Sequence, residues 1–284
     1  MTDVADRPAM TSSALQDVIA LLGRPAAGNP AQYLFERALE RAGLDARFIS
    51  ADVPPERLAD ALAGAAALAF RGCLLAGTLR EAALPLVAAA TPAAAFAGAA
   101  SLLEATPAGF TAHMTDGRGI VEALRAHRDP IGVRALVVGA GATGRAAALE
   151  LSLAGSSGLA VCDRDAPRAA ALADAIRGLD AAPVTLVDAV PAVAVPADVG
   201  VVIVAVPPLE TPTFTGLRAD LVVVECGLAV QPSALGTVVA ASGACFVDGL
   251  EVHAARTAID FLALTGAEAD ADLVRDALDE FLSA

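Results

Sequence analysis

One short segment constrains this chain more than any other, because it joins an apolar run, three spaced glycines and an alanine-rich run. Ala135–Val138 predicts a buried strand, and residues 146–153 predict a helix. Between them, Gly139, Gly141 and Gly144 have the G-x-G-x-x-G spacing. In this context the first glycine makes a tight turn, the second lets the backbone approach a pyrophosphate, and the third lets helix and strand pack closely. The segment therefore predicts a dinucleotide-binding loop.

An acidic residue at the next strand end bears on which dinucleotide binds. The apolar run Gly158–Cys162 leads to Asp163, nineteen residues after Gly144. A carboxylate there bonds the ribose hydroxyls and repels a 2′-phosphate, whereas Arg164 and Arg168 would partly offset that repulsion. We expect NAD as the cofactor and leave NADP open. The residues predicted to hold it are Gly139, Ala140, Gly141, Ala142, Thr143, Gly144, Asp163 and Arg164.

Length and charge exclude several classes of function. The 284 residues suffice for two domains, and the net charge of −14 argues against nucleic acid and anionic membrane surfaces. No apolar run reaches the length of a membrane span, and the first dozen residues lack the regions of a signal peptide. We therefore expect a cytoplasmic enzyme that binds a small molecule and neither nucleic acid nor membrane. A homodimer is compatible with the sequence.

The chain contains no lysine, since all 19 basic residues are arginine. Schiff-base chemistry and a lysine general acid are therefore excluded. The cysteines Cys73, Cys162, Cys226 and Cys245 stand singly in apolar runs, which predicts reduced core thiols and no metal site. A catalytic Cys226 is the weaker alternative.

Apolar periodicity predicts an α/β chain of two domains. Up to Ala112 the order is β-α-β-α-β-α-β, with helices at Ala31–Gly43, Pro54–Ala63 and Arg80–Ala89 and strands including Ala46–Ser50, Leu68–Leu75, Gly98–Glu104 and Gly109–Ala112.

After the predicted helix Ile120–His127, strands and helices alternate again. The Val/Ile/Leu-rich strands are typical of a parallel sheet covered on both faces, a Rossmann-type domain. We assign 117–250 to this dinucleotide-binding domain, and 13–116 with 251–284 to a first domain to which two C-terminal helices return. The predicted strands are Ala135–Val138, Leu159–Cys162, Thr185–Val187, Val199–Val204, Leu221–Glu225 and Ala244–Val247, and the two helices are Glu251–Leu264 and Asp270–Phe281.

Motifs along the chain follow one another in an order that is found in a known family. They are Gly23–Pro25 with Asn29-Pro30, Leu44–Phe48, Asp52–Glu56, Gly72–Ala82, Gly98–Ser101, Thr115–Gly117, Asp198–Pro207 and Asp248–Gly266. In order and spacing they resemble the shikimate and quinate/shikimate dehydrogenases. The resemblance covers residues from about 20 to 266, and it implies an N-terminal substrate domain, a central NAD(P)-binding domain and returning C-terminal helices.

The resemblance also implies site residues, and here the chain departs from the family pattern. Asp116 matches the family's catalytic aspartate, but Arg80 stands where the family has its catalytic lysine. Most of the family's hydroxyl-binding set is replaced by apolar residues, so shikimate itself is disfavoured as the substrate. The corresponding substrate-side positions are Asn29, Leu74, Ala76, Ala100, Ser101, Met114 and Arg256, and Ala205, Val206 and Gly249 flank the expected nicotinamide.

Asp116 is the predicted proton-transfer residue, the alternative being a helix N-cap. Arg80 cannot release its proton near neutral pH, so we expect it to orient or polarise the substrate, unless it is a surface arginine. Arg256 is the candidate for holding a substrate carboxylate, again with a surface alternative. His113 is more simply a peripheral histidine than a proton donor, and His127 a favourable charge at a helix C-terminus.

The sequence thus predicts an NAD(P)-dependent oxidoreductase resembling shikimate dehydrogenase. It would transfer a hydride between nicotinamide and a carbonyl or alcohol of a small, anionic substrate that carries fewer hydroxyls than shikimate. Two alternatives stay open at this point. One is an authentic shikimate or quinate dehydrogenase, and the other is a dinucleotide-binding sensor or partner protein without catalysis.

Overall fold

The computed structural model describes residues 16–190, 192–229 and 232–283. These residues form two compact units. The first contains the described residues up to Thr91, Ala99–His113 and those from Thr257 onward, and the second contains Pro92–Gly98 and Met114–Arg256.

The elements of the N-terminal part alternate between strand and helix until a β-hairpin interrupts them. They are β1 (Asp17–Gly23), α1 (Ala31–Ala42), β2 (Ala46–Asp52), α2 (Leu58–Ala67), β3 (Gly72–Leu75), α3 (Leu79–Ala82), β4 (Ala89–Ala90), α4 (Pro92–Ala97), β5 (Leu102–Thr106), β6 (Gly109–His113) and α5 (Asp116–Arg125).

The rest of the chain continues the alternation and ends in two helices. Its elements are β7 (Arg134–Val138), α6 (Ala142–Leu153), β8 (Gly158–Cys162), α7 (Ala166–Arg177), β9 (Val184–Leu186), β10 (Val193–Ala194), β11 (Val199–Val204), β12 (Phe214–Thr215), β13 (Val222–Glu225), α8 (Ala234–Ser242), β14 (Cys245–Val247), α9 (Gly249–Thr265) and α10 (Ala271–Ser283).

The sheet of the first unit is mixed, with the strand order β2-β1-β3-β5-β6-β4. Strand β5 runs antiparallel to both β3 and β6, whereas β1 is parallel to β2 and β3. The core of this unit is aromatic at its centre. The ring of Phe35 lies 4.7 Å from that of Phe48 and 5.7 Å from that of Phe261, measured between centroids. Phe261 on α9 therefore ties this helix to the first unit by buried apolar contact.

The main sheet of the second unit is parallel throughout, in the order β14-β13-β11-β7-β8-β9. Its central strands are buried, and two separate clusters of apolar side chains cover its faces. This explains why those strands read as continuous Val/Ile/Leu runs. The strand order reverses between β7 and β11, and such a reversal opens a crevice at the carboxyl ends of the strands, where ligands bind.

The predicted α/β class, the parallel Rossmann-type sheet and the return of the C-terminal helices are confirmed. The predicted helix Arg80–Ala89 is wrong, because α3 ends at Ala82. Pro85 lies in the middle of that run, and it lacks the N–H and clashes with the preceding turn of a continuing helix. The helix α4 was not predicted. It begins at a proline and is followed by Gly98, which has a φ of +66°.

Two predicted strands of the first unit start too early. Leu68–Leu75 becomes strand only from Gly72, because Leu68 closes α2 and Ala69 adopts a φ of +57°. The strand predicted at Gly98–Glu104 runs instead over Leu102–Thr106.

The prediction of four core thiols is wrong for one of them, since Cys245 is exposed and the other three are buried. Among the residues that the structure describes, no helix combines the length and the apolar character that crossing a membrane requires.

Candidate cofactor and proton-transfer site

The glycine loop, defined as Gly139–Gly144, follows β7 and includes the first three residues of α6. Its geometry directly explains two of the three glycines. Gly139 has a φ of +101°, a conformation that side chains disfavour. A Cβ on Gly144 would lie 1.8 Å from the carbonyl oxygen of Gly139, so only glycine permits this strand-to-helix approach. Gly141 caps α6, and a Cβ there would meet no atom nearer than Arg168 Nη2 at 3.7 Å. The protein itself thus leaves Gly141 room, as a loop that receives a pyrophosphate requires.

Asp163, which is predicted to contact the ribose, also accepts a hydrogen bond from the backbone of this loop. Its Oδ2 accepts the N–H of Ala140 at 2.6 Å, and its Oδ1 accepts the N–H of Asp165 at 2.8 Å. A carboxylate has about four lone-pair sites, so both oxygens retain acceptor capacity for hydroxyl groups.

A cavity of about 300 Å³ opens beside the loop at the carboxyl ends of the strands. Its charged walls are Asp163, Arg164, Arg168 and Glu210, and Arg164 forms an ion pair with Glu210. The glycine cradle and the mixture of apolar and ionic walls suit part of a dinucleotide. The lining residues are Val138, Gly139, Gly141, Asp163, Arg164, Arg168, Ala189, Ala205, Val206, Pro207, Glu210 and Pro212.

Ala205 and Val206 lie directly against the loop. A Cβ on Gly139 would be 2.8 Å from both the Ala205 carbonyl oxygen and Val206 Cγ1. Gly249 begins α9, and a Cβ there would lie 2.0 Å from the carbonyl oxygen of Gly227. It therefore packs on the backbone after β13 and is not among the residues that line the cavity.

Asp116 is buried at the start of α5, where it is the first helical residue after the cap residue Thr115. Its Oδ2 accepts the hydroxyl proton of Thr143 at 2.7 Å, and its Oδ1 lies 3.4 Å from Nη1 of Arg256. Thr143 belongs to the glycine loop. The predicted proton-transfer residue and the predicted cofactor loop are thus joined by a direct hydrogen bond.

Two small residues allow α5 to approach its neighbours this closely. A Cβ on Gly117 would be 2.3 Å from the carbonyl oxygen of Ala146 on α6, and one on Gly119 would be 2.8 Å from Cβ of Arg256. The sequence Asp116-Gly-Arg-Gly119 therefore places an acidic residue at the start of a helix whose first turn packs tightly against α6 and α9. Arg256 is one-quarter exposed and ion-paired with Asp116.

Cys226 lies near this carboxylate but does not suit a nucleophile. Burial, and after it the negative charges of Asp116 and Glu225, raise the pKa of its thiol well above the usual range. The thiolate is therefore disfavoured, which contradicts the alternative of a catalytic Cys226.

Glu225 was not among the predicted site residues. It is the last residue of β13 and is 2% exposed. Burial is the main cause that raises the pKa of its carboxyl group, the charge of Asp248 adds to the rise, and a hydrogen bond from Ser233 opposes it. Its Oε2 has no hydrogen-bond partner among the described residues. An acidic residue that ends a run of three valines at the carboxyl end of a parallel strand was the available signal.

The substrate-side residues predicted in the first unit are mostly buried. Leu74 is 4% exposed and belongs to the apolar core, and Ala100 is fully buried. The N–H of Ala100 donates to the carbonyl oxygen of Arg80 at 2.8 Å, which brings these two positions together. Ser101 is also buried, and Ala76 packs near Gly23.

The remaining predicted residues have local partners. Asn29 accepts the N–H of Ala31 at 2.9 Å and so supports the start of α1, and Met114 is buried in the second unit. His113 lies 3.1 Å from Glu104, which fits a peripheral ion-paired histidine. Within the described ranges, no group of three or more His, Cys, Asp or Glu could hold a metal ion.

Comparison with known proteins places this geometry among dehydrogenases. The shikimate dehydrogenase (NADP⁺) of Anaeromyxobacter dehalogenans is 33% identical over 266 residues, which is 90% of this chain and 93% of that protein. That of Moorella thermoacetica is 36% identical over 162 residues, 57% of this chain and only 55% of that protein. No protein-family model matches the chain.

Among solved structures, the ligand-free 5-ketofructose reductase of Gluconobacter sp. strain CHM43 superposes with a TM-score of 0.88. It is 26% identical, and the match covers 94% of this chain and 99% of that one. Both relatives are thus named for shikimate, and the structural neighbour is named for 5-ketofructose.

Proposed function

The chain belongs to the shikimate dehydrogenase family of NAD(P)-dependent dehydrogenases and reductases, and from that premise we propose its reaction. It transfers a hydride between nicotinamide and a carbonyl or alcohol carbon of a small, anionic substrate that carries fewer hydroxyls than shikimate. The observation that carries the proposal is the hydrogen bond from Thr143 of the glycine loop to the buried carboxylate of Asp116.

Bound nicotinamide dinucleotide supplies or accepts the hydride. Asp116, kept ionised beside the Arg256 guanidinium, accepts the hydroxyl proton of an alcohol substrate or returns a proton to the reduced carbonyl. Thr143 holds Oδ2 of that carboxylate in one orientation. Arg256 has five N–H donors, so pairing with Asp116 is compatible with contact to a substrate anion. Arg80 orients or polarises the carbonyl and keeps its own proton.

The proposed substrate preference rests on the resemblance to the family. That resemblance places hydroxyl-binding asparagines at the positions of Leu74 and of Ala100 or Met114, and all three residues are apolar and buried. A site that lacks those polar partners loses orders of magnitude toward a polyhydroxylated ring. Replacing Arg80→Lys alone should therefore leave shikimate turnover undetectable.

The proposed cofactor is NAD. Asp163 presents a carboxylate at the ribose position, and the charge of Arg164 is already engaged by Glu210. Titration with NADH and NADPH, followed by nucleotide fluorescence, should give at least tenfold tighter binding of NADH. Glu210→Gln releases Arg164 and should strengthen NADPH binding several-fold while leaving NADH unchanged. Equal affinities in the wild-type protein would contradict this preference.

The reaction is tested by mixing the protein with NADH and a panel of cyclic and open-chain keto acids, with shikimate and NAD⁺ or NADP⁺ as the comparison. We expect nicotinamide absorbance to fall with at least one keto acid and to stay constant with shikimate. Tight NADH binding without turnover of any compound would instead favour a dinucleotide-binding sensor. Rapid oxidation of shikimate would identify an authentic shikimate dehydrogenase.

A further inference from the structure

Three reactive side chains meet in the second unit, outside the site described above. Cys245 is the first residue of the edge strand β14, His127 follows the C-terminus of α5, and Glu251 lies in the first turn of α9. The Sγ atom of Cys245 is 3.5 Å from Nδ1 of His127. The Nε2 atom of the same ring is 2.7 Å from Oε1 of Glu251.

The protons of this cluster can be assigned from donor and acceptor chemistry. An ionised carboxylate only accepts, so the short contact to Glu251 requires a hydrogen on Nε2 of His127. In the neutral ring Nδ1 is then the unprotonated nitrogen, and it faces the thiol of Cys245. This is the arrangement of a nucleophile, a base and a group that orients the base.

The backbone N–H of each of these three residues donates a hydrogen bond that fixes its position. The N–H of His127 donates to Leu124 at 2.9 Å, and that of Cys245 donates to Leu221 at 3.0 Å. The N–H of Glu251 donates to Oδ1 of Asp248 at 2.9 Å.

We propose that Cys245 is an activated nucleophile, with His127 as its base and Glu251 as a positioning residue, and that small soluble electrophiles modify it. In the step, Nδ1 takes the thiol proton and the sulfur lone pair forms a bond to the electrophilic carbon. The leaving group departs with its electron pair, and the imidazolium later releases the proton to water. The thiol is exposed, so the electrophile has access.

The other cysteines provide internal controls. Burial raises the pKa of the thiols of Cys73 and Cys162 to about 12, and Cys226 is buried as well. None of the three should react while the protein is folded.

The test is the rate of alkylation of the folded protein by iodoacetamide at pH 7, followed by mass spectrometry of the labelled peptide. A free thiol is only a few per cent thiolate at that pH, so transfer of its proton to His127 should accelerate labelling by roughly tenfold. We expect His127→Asn to lose that acceleration, Glu251→Gln to lose part of it, and Cys245→Ser to abolish labelling.

Ultraviolet absorbance of the thiolate is the second readout, and it should fall in His127→Asn although Cys245 stays equally exposed. NADH binding serves as the control for folding, and Glu251→Gln is the fallback if His127→Asn does not fold. Labelling of Cys245 at the same rate in the wild type and both variants would overturn the proposal. So would native labelling of the buried cysteines at the rate of Cys245.

Discussion

Two alanine substitutions in the glycine loop separate the role of the loop in folding from its role in binding. In Gly144→Ala, the new Cβ would lie 1.8 Å from the carbonyl oxygen of Gly139 and 2.8 Å from its carbonyl carbon. Real contacts of this kind are longer than 3.0 Å, so strand and helix must separate by more than about an ångström. Overpacking of a rigid core costs about 3 kcal/mol at the upper end of its usual range.

For a protein of this size, that loss corresponds to a decrease of about 6–12 °C in the apparent melting temperature. Gly141→Ala is the matched control. Its Cβ meets only the flexible end of Arg168 at 3.7 Å, and the φ of −74° suits alanine. Loss of glycine at this cap costs less than about 1 kcal/mol, so the melting temperature should change by no more than about 3 °C.

The two variants should nevertheless both fail to bind the dinucleotide normally. Gly141→Ala places a methyl group where the pyrophosphate approaches, and we expect NADH to bind at least tenfold more weakly. The assay is thermal unfolding by circular dichroism together with NADH titration. A stable Gly141→Ala protein with wild-type NADH affinity would refute the assignment of the loop, and an unchanged melting temperature for Gly144→Ala would refute the steric argument.

Three further predictions concern the carboxylates. Asp116→Asn should lower kcat for any substrate found by about 10²–10⁴-fold, with the Kd of NADH within about twofold of wild type, and unchanged kcat would remove Asp116 from proton transfer. Thr143→Val deletes a hydrogen bond to a charged group, worth about 1.5–3 kcal/mol, and should lower kcat/KM by about 10–100-fold. Thr143→Ser keeps the hydroxyl and should retain most of the wild-type kcat/KM. Equal losses in both variants would contradict the role of the hydroxyl. The pKa of Glu225 is raised in the folded state, so its contribution to stability is complete below the ordinary glutamate pKa of about 4.3 and is lost as the pH rises through the folded value. Glu225→Gln should therefore raise the melting temperature at pH 8 more than at pH 4, and the opposite order would show that the buried carboxylate is stabilised by partners.

The cofactor half of the molecule was predictable because its signals are local. Gly139, Gly141 and Gly144 each meet a steric requirement that the G-x-G-x-x-G spacing indicates. The buried parallel strands are recognisable as continuous Val/Ile/Leu runs. The elements that were mispredicted depend on backbone details. Pro85 prevents the helix that the alanine-rich run Arg80–Ala89 favoured. Ala69 adopts a left-handed conformation that no local sequence pattern predicts.

The contacts of the candidate site were harder to predict because they join distant segments. The bond between Asp116 and Thr143 spans 27 positions, and the ion pair of Asp116 with Arg256 spans 140. Spacing along the chain carries no information about such pairs, and only the packing of α5 through Gly117 and Gly119 brings them together. The exposure of Cys245 was missed for a similar reason, since it begins a strand at the sheet edge.

Transfer of isotope from the cofactor tests the central claim most directly. The protein is incubated with NADH that carries deuterium at the transferable position of the nicotinamide ring, together with the keto acid that the panel identifies, and the product alcohol is weighed by mass spectrometry. Direct hydride transfer predicts a product heavier by one deuterium in the wild-type protein. Product without deuterium, or formation of product at equal rates when NADH is omitted, would contradict it.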